Sequence, residues 1–559
     1  MSGPRRLTAA LVASVLALLL TACAGLPTGG GVNEGLEPGS EIEAPDVSFI
    51  PDRPQPGATP EQVVDGFLRA GVGAADDWAR AREFLAPAFR TVWMPSAGVT
   101  IDVQGTRVTR VLDDDTVSVL VSQVATVDAK GSYEDAAEGT TPLTFELAQQ
   151  SDGEWRITEA PDGVVVDRNI FANVFNSYPL AYFDPSWRYL VPDVRWFPRS
   201  RAASLIASAL VNSPSSDWLA GAVQSAFPDS VEVGLSVPVV AGVATVPLSS
   251  EALGADQETL DRMQTQLEAS LGAVGVSEVE MLVGNTLLEA DPVETQRTTV
   301  TGPPLVQIDQ VFGFLAGGEL TTVPGLSSRL ADLDSVAVQV TADRSEAAVQ
   351  LADGTVARVP ADGGDVVTYD RTGLIAPTID PWGVVWTVPR DAPHAVQGHL
   401  PDGRTVAVGE AWPEATQISA MAVSRDGTRI AALLTVGGRT VVWVSGIVRG
   451  ADRAPSILGP PLDLGVATGV GRSITWLDDS TLGVLSAEGE STSMLEQLVG
   501  GPGIVTTGPA QAVSIAGGAT IATMRVRSAD GTLFVRRGSN WQEIASGIVL
   551  LATQQGMPE

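Results

Sequence analysis

The sequence from 420 to 431 reads AMAVSRDGTRIA, and its pattern decides the fold of the largest part of the chain. Small and apolar residues flank a polar turn centred on Asp426 and Gly427, and glycine tolerates the left-handed backbone that tight hairpin turns need. The same order of hydrophobic strand, polar turn and hydrophobic strand returns along residues 305–555. The stretch therefore predicts one element of an all-β repeat.

The repeat has a regular period. Turns between hydrophobic strands are centred on Arg344, Trp382, Asp426, Asp479 and Gly517, so successive centres lie 38, 44, 53 and 38 residues apart. A repeat of roughly 40–45 residues with four strands in each unit is typical of a β-propeller. Residues 305–555 have room for about six blades, with five or seven as the alternatives.

Two further patterns support this interpretation. Three tryptophans lie in hydrophobic runs that resemble buried strands, namely Trp386, Trp443 and Trp476. Aspartate–glycine pairs, which favour tight hairpin turns, stand at 353–354, 402–403, 426–427 and 530–531. We therefore assign residues 305–555 to a C-terminal all-β propeller.

Residues 59–170 predict a separate α+β domain. Thr59 and Gln62 flank Pro60 in a capping box, so a helix begins there. A second helical stretch spans 78–85. Alternating apolar residues then predict strands at 99–103, 117–121 and 143–147. Helices followed by antiparallel strands fit a cystatin-like or NTF2-like roll.

A second α+β domain is predicted for residues 185–290. Apolar residues recur at helical spacing in three segments, at 204–212, 215–227 and 260–271. Strands are predicted at 231–233, 243–246 and 277–283. Together with the propeller this gives three domains, which agrees with the length of 559 residues at ~100–200 residues per domain.

The first 25 residues read MSGPRRLTAALVASVLALLLTACAG. Their apolar run, 7–20, is shorter than the ~20 residues of a membrane span and is typical of a secretory signal peptide. The run ends at Cys23 in a sequence that resembles a bacterial lipobox. We predict that the signal peptide, 1–22, is removed and that Cys23 becomes the N-terminal residue, carrying S-diacylglycerol and an N-palmitoyl group. An ordinary cleaved signal with an incidental cysteine is the alternative.

Residues 23–58 are rich in glycine and proline and predict a flexible lipidated tether.

The composition of the chain limits the functions that it can have. The formal net charge is −32, with 66 acidic and 34 basic residues, which argues against a nucleic-acid partner. One cysteine and two histidines exclude cysteine zinc sites, iron–sulfur clusters and multi-histidine metal centres. We expect no cofactor and no metal.

No motif singles out a catalytic residue. Phosphate-binding glycine loops and the Gly-x-Ser-x-Gly elbow are both absent. His394 and His399 share the stretch 391–400, where they could bind a metal or relay a proton, and an exposed loop between blades is the alternative. The run Asp113–Asp115 is either a metal site or a solvated turn. A glycosidase needs only two carboxylates, so the sequence does not exclude one.

The middle segment resembles the GerMN domain, first described in sporulation and germination proteins. The matching sequences are AASLI at 202–206, LVNSP at 210–214 and AFP at 226–228. The order of lipobox, α+β domain, GerMN domain and propeller resembles the LpqB family of actinobacterial lipoproteins. Within the propeller, the sequences of this chain that best match the family are PWGVVW at 381–386 and VSRDG at 423–427.

This resemblance implies a protein anchored by lipid to the extracytoplasmic face of the cell membrane. It also implies a partner, the extracytoplasmic domain of an MtrB-like sensor histidine kinase of the MtrA–MtrB system, which controls cell-wall and division processes. Only the lipidation site, Cys23, carries over as a single residue. We expect a binding protein and not an enzyme. The alternative is a propeller that binds or hydrolyses cell-wall carbohydrate.

Overall fold

The computed structural model describes residues 51–136 and 139–557. The predicted signal peptide, the lipidation site Cys23 and most of the predicted tether lie outside the described residues. The last residues of that tether, 51–58, lie against the first domain. The main-chain N–H of Gly57 donates to the carboxylate of Glu154 at 3.0 Å, and Ala58 packs against the first core.

The first domain combines three helices with a seven-stranded sheet. Its helices are α1 (Pro60–Ala70), α2 (Ala79–Arg82) and α3 (Arg168–Val174). Its strands are β1 (Gly98–Asp102), β2 (Val108–Val111), β3 (Thr116–Asp128), β4 (Tyr133–Asp135), β5 (Thr140–Gln149), β6 (Trp155–Glu159) and β7 (Val164–Asp167). The strand order is β6-β5-β3-β1-β7, with β2 and β4 paired to β3.

The predicted capping box is confirmed at the start of α1. The Thr59 hydroxyl accepts from the main-chain N–H of Gln62, whose side-chain oxygen accepts from the N–H of Thr59 at 2.9 Å. Phe67 is among the residues by which α1 packs into the first core. The predicted helical stretch at 78–85 is wrong in extent, because α2 is a single turn, Ala79–Arg82. The main chain at Leu85 leaves it to pair with Ile157 of β6.

The middle domain is built on a parallel strand pair and two helices. Its elements are β8 (Phe175–Phe183), β9 (Leu190–Pro198), α4 (Ala202–Asn212), β10 (Val239–Val240), β11 (Val243–Leu248), α5 (Gln257–Leu271), β12 (Glu278–Val283) and β13 (Thr286–Leu287). The parallel strands β11 and β12 are joined through α5. The predicted helix at 260–271 is confirmed, and it buries Met263, Leu267 and Leu271. The predicted strand at 231–233 is wrong, because only Val233 forms a bridge.

The predicted helix at 215–227 is also wrong. The structure has a single short turn of 3₁₀ helix there, Asp217–Leu219. Two interactions draw the chain away from helical geometry. Gln224 forms main-chain hydrogen bonds in both directions with Phe183, at 2.8 and 2.9 Å. Trp218 and Leu219 pack into a core shared with the C-terminal domain instead of facing one side of a local helix.

The C-terminal domain is a six-bladed propeller within the described residues. Blade 1 contains β14 (Leu305–Ile308), β15 (Val311–Ala316) and β16 (Glu319–Thr322), and α6 (Leu326–Ala331) follows it. Blade 2 contains β17 (Ser335–Val340), β18 (Glu346–Leu351), β19 (Val356–Pro360) and β20 (Val367–Tyr369). Blade 3 contains β21 (Thr378–Ile379), β22 (Val385–Thr387), β23 (Gln397–His399) and β24 (Thr405–Ala407).

The remaining blades follow the same antiparallel order. Blade 4 contains β25 (Gln417–Val423), β26 (Arg429–Val436), β27 (Arg439–Arg449), β28 (Pro455–Leu458) and β29 (Leu462–Val466). Blade 5 contains β30 (Val470–Trp476), β31 (Thr481–Glu488), β32 (Ser491–Leu498) and β33 (Gly503–Thr507). Blade 6 contains β34 (Ala512–Ala516), β35 (Arg525–Ser528), β36 (Leu533–Arg537) and β37 (Asn540–Ala545).

The end of the chain closes the ring. Strands β38 (Ile548–Leu551) and β39 (Thr553–Gln554) pair with β14 of blade 1 and β17 of blade 2. Beyond them, the side-chain amide of Gln555 donates to the main-chain oxygens of Ile379 and Val423, in blades 3 and 4. The segment 548–555 therefore connects four blades.

The five predicted turn centres all lie between the first and second strands of blades 2–6, so the predicted repeat and the number of six blades are confirmed. Gly427 shows why these turns have their composition. Its φ is +73°, and a Cβ there would lie 2.2 Å from the ring of Trp382 in the corresponding turn of blade 3. Glycine thus permits both the turn and the contact between blades. We call the propeller surface formed by these turns the turn face.

Candidate functional site

The β8–β9 hairpin of the middle domain positions the candidate site. Its loop is fixed by Asp184, whose Oδ1 accepts from the main-chain N–H groups of Arg188 and Tyr189, both at 2.7 Å. Successive side chains on a strand point to opposite sides, so Asp193 and Arg195 share one side of β9. The strand thereby presents two charges in a segment that is buried on both faces.

Asp193 and Arg195 form a buried ion pair. The distance between Nη2 and Oδ2 is 2.7 Å, and each side chain is only 2% exposed. Asp193 also accepts from the main-chain N–H and the hydroxyl of Ser216, at 2.8 and 2.7 Å. Arg195 donates to the carbonyl oxygen of Lys130 at 3.2 Å and to the hydroxyl of Ser132 at 2.8 Å. The pair therefore joins the middle domain to the first domain.

The surroundings of Arg195 favour its charged form. Burial lowers the pKa of Arg195, but the charge of Asp193 and its hydrogen bond outweigh burial and raise that pKa above its ordinary value. Burial raises the pKa of the neighbouring Tyr182, and the charge of Asp193 raises it further. A buried charge that loses its partner typically costs 3–5 kcal/mol. The network is thus sensitive to the loss of either member.

Trp196, between these charges and the propeller, forms the second connection. Its indole Nε1–H donates to the carbonyl oxygen of Gly500, in the turn after β32, at 2.8 Å. Its ring lies 4.8 Å from the ring of Phe171 and 6.0 Å from that of Tyr133, both in the first domain. One side chain of the hairpin therefore contacts both other domains.

Trp218 and Leu219 form the third connection, against blade 4. Leu219 is fully buried with Val442 and Val444 of β27. The approach depends on Gly446, where a Cβ would lie 2.7 Å from the carbonyl oxygen of Trp218. The residues that sequence reasoning assigned to a local helix are thus interface residues.

A polar cavity of about 210 Å³ remains where the three domains meet. Its wall includes Lys130 and Glu134 of the first domain, Arg195 and Asp217 of the middle domain, and Pro461 and Gly500 of the propeller. Lys130 is the only lysine of the chain. We call this cavity and the three connections around it the three-domain junction.

The structure separates the two histidines that sequence analysis placed in one loop. His394 is exposed, whereas His399 lies buried in β23, stacked on Tyr369 with ring centroids 3.8 Å apart. Its ring nitrogens lie 2.9 Å from the hydroxyls of Thr387 and Thr405. Burial, together with nearby arginines, lowers the pKa of His399 to about 4. His399 is a neutral core residue, so the interpretation of both histidines as an exposed loop is wrong.

The remaining predictions concern the aspartate run, metal sites and the membrane anchor. Asp113–Asp115 forms an exposed turn between β2 and β3, in which Asp113 accepts from the N–H of Asp115. Among residues 51–136 and 139–557, no group of three or more His, Cys, Asp or Glu side chains is placed to hold a metal ion. Within the same part of the chain, no helix has the length and apolar character needed to span a membrane. Cys23 lies outside the described residues.

The residues of the three-domain junction were not among the predicted sites. Their signal was present in the stretch 190–198, LVPDVRWFP, where two charged residues interrupt a hydrophobic strand. Charged residues are almost never fully buried unless they are paired, so the alternation suggested a charge pair on one side of that strand. The sequence contained no sign that this side faces another domain.

Comparison with known proteins agrees with this architecture. The model of the LpqB lipoprotein N-terminal domain matches residues 53–172, and the model of the LpqB β-propeller domain matches 305–550. The chain belongs to the LpqB lipoprotein family. A third model, described as sporulation and spore germination, matches 179–289 and confirms the GerMN domain of this LpqB-family chain.

Relatives named Lipoprotein LpqB cover nearly the whole LpqB-family chain. The relative from Cutibacterium acnes is 26% identical and covers 97% of this chain and 98% of its own length. The relative from Nocardia farcinica is 28% identical, over 90% of this chain and 88% of its own length. Among solved structures, TolB from Acinetobacter baumannii covers 44% of this chain and 63% of its own, with a TM-score of 0.33 and 14% identity.

Proposed function

We propose that this protein is a membrane-anchored, extracytoplasmic lipoprotein that binds and modulates an MtrB-like sensor histidine kinase, and that it is not an enzyme. The observation that carries the proposal is the three-domain junction. Residues 51–136 and 139–557 belong to one compact unit, and buried contacts fix the three domains within it. A binding surface spread over several domains keeps its shape only when their arrangement is fixed, because ordering on binding costs free energy.

The anchor is supported by the sequence at Cys23 and by the lipoprotein names of the relatives. One acyl chain gives only marginal membrane binding, whereas two or three chains give a stable anchor. We expect Cys23→Ala to lose radiolabelled palmitate and to leave the membrane fraction. Ala24→Ser, which changes the residue after Cys23, is the control and should keep both. A Cys23→Ala chain that remains in membranes and carries label would contradict the proposed anchor.

Kinase binding is tested with the full-length chain and the purified kinase, both reconstituted in liposomes. We expect the chain to change the rate of kinase autophosphorylation and to be recovered with the immobilised kinase ectodomain. The Cys23→Ala chain should lose the effect on autophosphorylation after the liposomes are washed. An unchanged autophosphorylation rate together with no recovery on the ectodomain would rule out the proposed partner.

The absence of catalysis is tested separately, on purified cell wall. We expect the full-length chain to release no more reducing sugar or muropeptide than buffer alone. Release that rises with protein concentration would instead support the cell-wall hydrolase. Binding to the wall without release would support a carbohydrate-binding propeller.

A further inference from the structure

A second cavity, of about 140 Å³, lies on the turn face of the propeller, apart from the three-domain junction. Three segments form its wall: the linker that enters the propeller at 300–305, the blade 6 segment 516–525, and the residues around β39. These segments come from the beginning and the end of the propeller. The cavity therefore exists only when the ring is closed.

The charge of this cavity is opposite to that of the chain. Among residues 51–136 and 139–557, no aspartate or glutamate lines the cavity, and Arg525, in β35 of blade 6, is the one charged residue of its wall. In a chain with a net charge of −32, a cavity lined by a cation and no carboxylate is a local site of positive potential.

Within the described part of the chain, Arg525 forms no ion pair with a carboxylate. Its Nη1 donates to the carbonyl oxygens of Thr523 and Met524, and its buried Nε–H has no acceptor. Burial lowers the pKa of Arg525, and the positive charge of Arg537 lowers it further. No carboxylate contributes to that shift. The cation is thus held in a position that is electrostatically unfavourable without an anion.

A second arginine lies directly behind the wall. Arg425 is buried and donates to the carbonyl oxygens of Trp476 and Gly518, at 3.0 and 3.1 Å. Its Nη2 lies 3.0 Å from the position that a Cβ on Gly517 would occupy, and Gly517 lines the cavity. Burial lowers the pKa of Arg425, although Asp479 and Asp478 partly oppose this effect. Arg425 therefore adds a second positive charge behind the wall, which Asp479 and Asp478 offset in part.

We propose that the turn-face cavity binds a phosphate group. Arginine is the preferred partner of phosphate in proteins, and hydrogen bonds between charged groups are about twice as strong as neutral ones. Thr301 and Gln554 add a hydroxyl and an amide to the wall, each from a different segment than Arg525. Polar groups supplied by three separate segments suit a tetrahedral anion better than a planar carboxylate. The group belongs either to free phosphate or to a phosphate ester.

The test uses the full-length chain in non-ionic detergent, with binding measured by isothermal titration calorimetry and by ³¹P line broadening. We expect inorganic phosphate to bind, sulfate to compete with it, and acetate to compete at least fivefold less well. Glycerol 3-phosphate distinguishes the source: tighter binding than phosphate identifies an ester, and equal or weaker binding identifies the free anion. If neither phosphate nor glycerol 3-phosphate binds, the proposal is wrong.

Variants locate the binding. Arg525→Gln should weaken phosphate binding at least tenfold, and Arg525→Lys should weaken it less because the charge remains. Arg472→Gln, which removes an equal charge from an exposed position in blade 5, is the matched control and should bind normally. Thr301→Trp changes an exposed residue of the linker and should block the cavity without loss of folding. Unchanged binding in both Arg525→Gln and Thr301→Trp would overturn the assignment.

Discussion

Removal of the buried carboxylate at the three-domain junction should open the junction. Asp193→Ala leaves Arg195 charged, 2% exposed and without its 2.7 Å partner, and it also deprives Ser216 of two hydrogen bonds. The loss of one member of a buried ion pair costs about 3–5 kcal/mol. Since 1.4 kcal/mol corresponds to a factor of ten, the open state should become about 10²- to 5 × 10³-fold more populated.

Hydrogen exchange measures this opening directly. The main-chain N–H of Trp196 donates to the carbonyl oxygen of Gly131 across the junction at 2.8 Å, so its exchange rate reports the open population. Exchange in the peptide 190–198 should accelerate by the factor above, while peptides from blade 2 remain unchanged. Asp402→Ala removes one carboxylate from an exposed pair with Arg404 and serves as the control. If Asp193→Ala and Asp402→Ala gave the same exchange rates, the junction would not depend on this pair.

Three further predictions follow from other contacts. His399 has a pKa of about 4 in the folded chain against an ordinary value of 6.5, so its stabilising effect is complete above pH 6.5 and is lost as the pH falls to 4. The loss, about 3 kcal/mol, should appear in urea midpoints and vanish in His399→Gln but not in His394→Gln. Gly446→Ala places a Cβ 2.7 Å from the Trp218 oxygen and should cost about 1–3 kcal/mol in thermal unfolding, whereas Gly254→Ala, with open space around it, should be tolerated. Thr59→Ala removes the capping box of α1 and should cost about 1 kcal/mol, measured by the urea midpoint of the first domain.

The propeller could be predicted because its determining features are local in sequence. The turn at Gly427 needs a residue that accepts a positive φ, and the strands on either side of it are continuous apolar runs. The capping box at Thr59 is similarly contained within four residues. Each of these features depends only on residues that are close together in the sequence. The residue pattern alone therefore predicts both the feature and its position.

The segment 215–227 shows where such reasoning fails. Its apolar residues occur at helical spacing, but Leu219 packs against Val442, more than 200 residues away. Periodicity indicates that residues are buried without indicating what covers them. The prediction of an exposed loop was wrong at His399 for the same reason. Its stacking partner Tyr369 and its hydroxyl neighbours come from other strands of blades 2 and 3. The spacing of apolar residues therefore could not predict contacts between domains or between distant strands.

The linker between the middle domain and the propeller connects the two sites physically. The main-chain N–H of Gln296 donates to the carbonyl oxygen of Arg188 in the β8–β9 hairpin at 2.7 Å. Two residues later, Thr298 accepts from Arg425 behind the turn-face cavity, and Val300 lines that cavity. A phosphate bound there would hold the linker in place, and the linker would in turn hold the hairpin. Bound phosphate should therefore slow exchange at Trp196, and the factor by which it does so sets the upper limit on the loss of phosphate affinity in Asp193→Ala, reached only when that variant is fully open.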